Sequence, residues 1–389
     1  MINYSLSSDT WDEREVNAIK RVISSNRYTM GSEVAAFEQE FADFIGSKHA
    51  IMTNSGSSAN LLAIATIALH EKFQQKKLIG RPNIIVPTVS WSTTYFPVHQ
   101  WGFDLKFVDV ELETYNISAE QVESSIDDNT IAVFAVNLLG SPAELEKLEK
   151  ICTEHSIVLL EDNCESFGAK LDDGRYCGTI GTMGTFSFFF SHHLQTMEGG
   201  MVVTDDTELV DYLKSLRAHG WVRDLQGSGL YKKTGDDFID SFKFVLPGYC
   251  VRPLEMSGAT GREQLKKWPG MAEQRRKNAQ VAKKFLNSTN VKLQQDHGFS
   301  TWFGFGLTLQ GRLVGRRDEV ISSLKDKNVE VRPIVAGNFQ KNPVIDRLNC
   351  IKCDAPNADY IDKNGFFIGN DCVDLETKII AVSKLLQTL

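Results

Sequence analysis

The chain reads as an α/β protein, with a large domain on a mostly parallel sheet over residues 1–253 and a smaller α+β domain over residues 254–389. Three observations predict this. Short apolar runs alternate with helical stretches as far as Thr204. Those runs are apolar throughout, as in strands covered by helices on both faces. Beyond about residue 250 the alternation stops, and one long helical stretch is followed by a few strands. A length of 389 residues with 42% hydrophobic residues suffices for two cores of unequal size.

Taken in order, Thr10-Trp11-Asp12-Glu13 reads as a capping box opening a helix with Val16, Ile19, Val22 and Ile23 on one face. A second amphipathic helix comes after Gly31 and carries Val34, Phe37, Phe41, Phe44 and Ile45. The strand candidates are then HAIMT, NIIVP, LKFVD, TIAVFAV, IVLLE, TFSFFF (ending at Phe190) and MVVT, with helices at Ser58–Phe73, Ser118–Ile126 and Ser141–His155. In the second part, Leu254–Phe285 predicts a long helix with a break near Pro269. VKLQQ, FSTWFGFGLTL and VEVRPIV are strands, and Arg317–Lys325 and Leu375–Leu386 are helices.

A net charge of −8 argues against non-specific nucleic-acid binding, while leaving room for a local basic pocket. No stretch approaches the roughly 20 apolar residues that cross a bilayer. The N-terminus lacks the basic and apolar regions of a signal peptide. Seven scattered cysteines read as reduced thiols of a cytoplasmic protein.

Ligands of parallel sheets bind at the carboxyl ends of the strands, where several unusual segments fall. The loop Asn54–Asn60 lies between HAIMT and a helix. Its small residues suit either a phosphate at a helix N-terminus or a plain capped turn. Trp91, past NIIVP, is either core or a platform for a ring. Asp162 ends the buried strand IVLLE, where a carboxylate requires a partner such as a protonated ring nitrogen. His192-His193 comes just after TFSFFF. Adjacent histidines point apart and no further ligand stands at metal spacing, so no metal site is expected; histidine also titrates near neutrality and suits proton transfer. Cys350-Ile351-Lys352-Cys353 is a lone CxxC, read as a solvent-side loop.

Thr185–Gly200, TFSFFFSHHLQTMEGG, resembles the cofactor-lysine loop of the DegT/DnrJ/EryC1/StrS sugar aminotransferases, with His192 where that family bears lysine. EDNCES, VSWSTTY, SFKFVLPGYCVRPLEMSG and the RPIV-x-GNF segment at Arg332–Phe339 extend the resemblance over the whole chain, toward its histidine-bearing branch. The resemblance implies the PLP-dependent transferase fold of aspartate aminotransferase (fold type I). It implies pyridoxal 5'-phosphate (PLP) and pyridoxamine 5'-phosphate (PMP) as cofactors. Imidazole has no primary amine, so neither form would be covalently held.

By the same resemblance, Gly56, Ser57 and Ser187 hold the phosphate, Trp91 covers the ring and Asp162 meets its nitrogen. Glu165, where the family commonly has Gln, lies near the ring hydroxyl, and His192 moves protons at C4′. Cys250, where the family usually has Asn, would reach the partner subunit's phosphate in a homodimer with shared sites. His219 and Arg217, in Arg-x-His-Gly, and Arg332 are weaker candidates for substrate contact, as are Arg223 and Lys232 for a diphosphate.

The implied reaction removes the C3 hydroxyl of a nucleotide-linked 4-keto-6-deoxyhexose, GDP-4-keto-6-deoxy-D-mannose, with L-glutamate regenerating PMP. Its product belongs to dideoxysugar synthesis for lipopolysaccharide O-antigen. A CDP-sugar branch that uses an iron–sulfur cluster is set aside, because the small domain lacks closely clustered cysteines. The alternatives are an ordinary sugar aminotransferase and a non-catalytic nucleotide-sugar-binding relative.

Overall fold

The computed structural model describes residues 1–74, 78–225 and 229–389. Helices α1 (Glu13–Ser25) and α2 (Ser32–Ile45) lead into β1 (His49–Thr53), α3 (Gly56–Leu69), β2 (Asn83–Pro87), α4 (Ser92–Gln100) and β3 (Asp104–Val108). Next come α5 (Ala119–Ser125), β4 (Thr130–Val136), α6 (Leu145–Glu154), β5 (Val158–Asp162), β6 (Met183–Ser187), β7 (Gly200–Thr204), α7 (Thr207–Arg217) and the short α8 (Asp237–Asp240). The remainder comprises α9 (Glu255–Phe285), β8 (Val291–Leu293), β9 (Gly304–Leu309), α10 (Arg317–Asp326), β10 (Val331–Arg332), β11 (Cys350–Ile351), α11 (Pro356–Asn364), β12 (Gly365–Gly369) and α12 (Glu376–Thr388).

Eight strands form the large sheet in the order β1-β7-β6-β5-β4-β2-β3-β11, and four form the small one in the order β10-β12-β9-β8. From β6 to β11 all neighbours are parallel, whereas β7 runs antiparallel to both β6 and β1. The small sheet is antiparallel throughout. Apolar residues fill both faces of the large sheet: Ile84, Val86, Phe134 and Leu160 on one side, Ile85, Val133, Ala135 and Leu159 on the other. This burial accounts for the unbroken apolar runs.

Two segments cross the expected division at residue 253. Tyr4 bridges Val329 at the N-terminal end, and β11 pairs with β3 at the edge of the large sheet. Cys350 therefore lies in an edge strand, and the loop expected for the whole CxxC begins only at Lys352. No helix among the described residues is long and apolar enough to cross a membrane.

Local details differ from expectation for physical reasons. The capping box of α1 is Asp12 with Glu15: Arg14 N–H donates to Asp12 Oδ1 at 2.8 Å and Asp12 N–H to Glu15 Oε2 at 2.9 Å. Thr10 instead donates to Gln264 at 2.8 Å. The face of α1 that packs inward is Glu15, Ala18 and Val22, with Val16 and Ile23 exposed. Helix α9 runs through Pro269 as one helix of 31 residues. Proline in a helix costs about 3 kcal/mol. Burial of Leu265, Trp268, Met271 and Ala272, with about 1.5–3 kcal/mol for each of the larger side chains, outweighs it. Strand β6 ends at Ser187, three residues before the predicted Phe190, and frees the chain to enter the His192 loop.

Candidate active site

The carboxyl ends of β5 and β6, the N-terminus of α3 and the start of α4 converge on one cavity of about 530 Å³, closed on its far side by β10 and Phe303. Of the residues named from sequence, Gly56, Ser57, Trp91, Asp162, Glu165, Ser187, His192 and Arg332 all line it.

Helix α3 begins at Gly56 after an extended Ser55, whose hydroxyl oxygen accepts from Ser58 N–H at 3.1 Å. The first N–H groups of a helix have no partner inside it and create a positive end suited to phosphate. Position 56 has no room for a side chain: a Cβ there would lie 2.5 Å from Ser187 Cβ and 2.8 Å from Cys164 Sγ. Glycine thus lets the backbone approach Ser187, and Ser57 Oγ lies 3.1 Å from Thr93 Oγ1 on the adjoining wall.

Asp162 is buried and held from two helices. Its Oδ2 accepts from Asn60 Nδ2 and from Thr94 Oγ1, both at 2.8 Å, and its Oδ1 accepts from Cys164 N–H at 3.1 Å. Thr185 donates to Asn60 Oδ1 at 2.6 Å, so the amide nitrogen is the atom turned toward the carboxylate. Neutral donors fix this anion without neutralising it, which leaves it free to attract a protonated ring nitrogen.

Trp91, the cap residue of α4, turns its side chain outward, 59% exposed, at the cavity mouth. A tryptophan left open to a cavity offers a flat apolar face to a ring.

Glu165 Oε2 accepts from Leu139 N–H at 3.0 Å, and burial pushes its carboxyl up to about 7, with Asp162 adding to the rise. The Cys164 thiol is likewise raised by burial, so it is no nucleophile here.

His192 sits between two phenyl rings, with Phe189 at 5.9 Å and Phe303 at 5.2 Å between centroids. Its ring opens to the cavity on one side, and the protein enclosing the others lowers it to about 4, Arg275 adding to the effect. The imidazole is therefore a neutral base at physiological pH. Its Nδ1 is buried without a protein partner, leaving Nε2 to face the cavity. His193 does not line the cavity and is buried against Trp268 at 5.4 Å and against Phe303, which His192 also meets, at 5.7 Å.

Among the described residues no lysine lines the cavity, and no group of three or more His, Cys, Asp or Glu residues is arranged to hold a metal. Arg217 is not brought to the site: it is buried in an ion pair with Glu38 at 2.6 Å and donates to Met52 O at 2.8 Å. His219 is likewise outside, its ring tilted against Trp221 at 4.8 Å between centroids and its backbone N–H donating to Tyr249 O. Arg223 lies over Trp221, and Lys232 is exposed outside the cavity. Cys250 is exposed and outside this chain's own cavity, with Arg252 Nη2 3.7 Å from its sulfur.

The residues that sequence reasoning missed are those that act on others. Asn60 and Thr94 hold Asp162, and Phe189 and Phe303 wall His192. Only Asn60 had a sequence signal, since it stands one helical turn beyond Gly56 on the same helix face.

The cavity fits a phosphorylated pyridine. The α3 N-terminus with Ser187 forms a cradle that a Cβ at position 56 would fill, a buried carboxylate stands at the far end, and an open indole covers one face.

The sequence profile of the DegT/DnrJ/EryC1/StrS aminotransferase family matches residues 9–369. The chain is 48% identical over 392 aligned positions, 100% of its length and 99% of the other, to GDP-4-keto-6-deoxy-D-mannose 3-dehydratase of Yersinia pseudotuberculosis. It superposes with a TM-score of 0.94 on a crystal structure of a mutant GDP-4-keto-6-deoxymannose-3-dehydratase with bound GDP-perosamine, at 46% identity over 99% of this chain and 100% of that one. A structure of the same enzyme with a trapped PLP-glutamate geminal diamine agrees equally well, with a TM-score of 0.94, 46% identity and the same coverage. The fold is accordingly the aminotransferase-like PLP-dependent transferase fold, and the chain belongs to the DegT/DnrJ/EryC1/StrS aminotransferase family.

Proposed function

We propose that this chain is a PLP/PMP-dependent 3-dehydratase that converts GDP-4-keto-6-deoxy-D-mannose to GDP-4-keto-3,6-dideoxy-D-mannose, with L-glutamate regenerating PMP. One observation carries the reading: the loop after β6 presents the neutral imidazole of His192 to a PLP-shaped cavity whose lining contains no lysine among the described residues. The related enzymes are dehydratases of this sugar, and one was trapped with PLP and glutamate together.

Bound in this cavity, the cofactor supplies a conjugated electron sink for the substrate carbon attached to it. The protein's own residues direct that chemistry. Gly56 and Ser57 N–H groups with the Ser187 hydroxyl hold the phosphate at the α3 N-terminus. Asp162 keeps the ring nitrogen protonated, Asn60 and Thr94 fixing the carboxylate for that purpose. Trp91 covers one ring face and Glu165 meets the ring hydroxyl. His192 Nε2 takes the proton at C4′ of the aminated cofactor as the C3 hydroxyl departs, and moves a proton at the same carbon when glutamate returns the amino group. A lysine here would hold PLP covalently and serve amino transfer to the sugar; imidazole can only move protons. The ordinary aminotransferase reading therefore lacks its nucleophile. The non-catalytic reading leaves the Asp162–Asn60–Thr94 arrangement without a purpose.

Arg332, exposed on β10 and lining the cavity, would meet an anionic group of either substrate. The proposal includes a homodimer with shared sites: Phe238, Phe242 and Phe244, 87%, 67% and 56% exposed, stand in the segment leading to Cys250 and need an apolar cover. Seven unpaired cysteines suit a cytoplasmic enzyme. The proposal is tested by supplying PLP, L-glutamate and GDP-4-keto-6-deoxymannose and measuring 2-oxoglutarate and ammonia. Equal release of both with turnover supports it; 2-oxoglutarate without ammonia means amino transfer to the sugar.

A further inference from the structure

Arg275, on α9, lies outside every assignment made above, yet it is buried behind the His192–His193 pair. Among the described residues no carboxylate lies within ion-pair distance of it; the buried Asp371 stands in the same neighbourhood, both charges acting on Cys372, whose sulfur is 4.0 Å from Arg275 Nη1. A buried guanidinium without a counter-charge is costly, and such a group is retained where its charge or its geometry is used.

Both uses are visible. Arg275 Nη2 donates to Phe303 O at 3.3 Å and Nη1 to Asn370 O at 3.0 Å. Phe303 N–H donates to Leu139 O at 2.9 Å, so its main chain is gripped from both sides. Its ring packs on His192 at 5.2 Å and on His193 at 5.7 Å. Leu139, in turn, has φ 53° and gives its own N–H to Glu165. A strained turn from the large domain and a cation from α9 thus position one phenyl ring against the base. His192 Nδ1, Arg275 Nε and Thr301 Oγ1 are buried without protein partners.

We infer that Arg275 is a positioning residue for the reaction, fixing the His192 ring by its grip on the main chain of Phe303. This rests on the reading of His192 as the proton-moving group. The other charged or titratable groups around His192 are Asp162, Cys164, Glu165 and Glu198 along the cavity, Arg332 at its rim and His193 beside it. After burial itself, Arg275 is the main influence holding the ring unprotonated. Its positive charge disfavours a second one on the imidazole.

The experiment is an NMR titration of the full-length protein with ¹⁵N-labelled histidine, without added sugar, His192 being identified by its loss in His192→Asn. In the native protein His192 should remain neutral down to about pH 4. In Arg275→Met its titration should move up by about one pH unit, burial holding the rest. Arg275→Lys should keep the low value. Phe303→Leu should leave the titration in place while lowering the rate of PLP amination by glutamate about tenfold or more.

A native His192 that titrates near 6.5, or an Arg275→Met protein of unchanged titration, overturns the inference. Should Arg275→Met fail to fold, the native titration and Arg275→Lys still decide it. Absence of dehydratase turnover, with the expected titrations and with PLP amination by glutamate still slowed in Phe303→Leu, would overturn the dehydratase reading and leave the positioning of His192 for amination standing.

Discussion

Asn60 donates a 2.8 Å hydrogen bond to Asp162 Oδ2 across 102 residues of sequence, joining α3, the proposed phosphate cradle, to the strand end proposed to meet the ring nitrogen. In the proposed arrangement one helix serves both ends of the cofactor. Replacing Asn60 with Ala removes a donor from a buried carboxylate, which costs about 1–3 kcal/mol. The Asn60→Ala protein should bind PLP roughly tenfold more weakly or worse while keeping its far-UV circular dichroism, and unchanged PLP affinity by fluorescence titration would remove Asn60 from the site.

Gly56→Ala places a methyl 2.5 Å from Ser187 Cβ, inside the contact distance of any two carbons. The cradle must open to admit it. PLP and PMP affinity should both fall at least tenfold, because the phosphate is common to them, and inorganic phosphate should compete less well with either.

Glu165 provides a pH test with a definite sign. Its folded value of about 7 lies above the ordinary 4.5. The folded protein therefore binds the proton more tightly than the unfolded chain, and stability is lost as pH rises from 4.5 through 7. The shift corresponds to about 3 kcal/mol. Glu165→Gln should flatten this part of the urea-midpoint-versus-pH curve for the cofactor-free protein, and should also remove a limb near pH 7 from the rate of PLP amination. A slope identical to that of the native protein would contradict the assignment.

His192→Asn should abolish turnover, by about a hundredfold or more as expected for loss of a general base, while PMP binding persists. His192→Lys should trap PLP as a covalent adduct, visible as an added mass after borohydride reduction. Unchanged turnover in the first, or the absence of an adduct in the second, would place the proton-moving group elsewhere.

Much of this site was legible because its residues stand at strand ends and helix starts, which apolar runs and capping residues mark. Asp162 after IVLLE and Gly56 after HAIMT are such cases. The strands that escaped notice lacked that signal: β11 is a two-residue edge strand beside Lys352, and β12, GFFIG, is bounded by glycines. Helix α4 was missed because Pro97 and two adjacent threonines obscure its period. Arg217 illustrates the opposite error. A cation near a motif looked like a ligand contact, but Glu38, 179 residues away, had already claimed it. Phe303 and Arg275 reach His192 only through tertiary packing, which no local pattern encodes.

In the proposed reaction an imidazole in place of lysine turns this scaffold from amination to deoxygenation. The most direct test is the mass of the sugar nucleotide formed from GDP-4-keto-6-deoxymannose with PLP and L-glutamate. A product lighter by one oxygen atom and still a ketone is the predicted result; a product in which an amino group has replaced the ketone would contradict it.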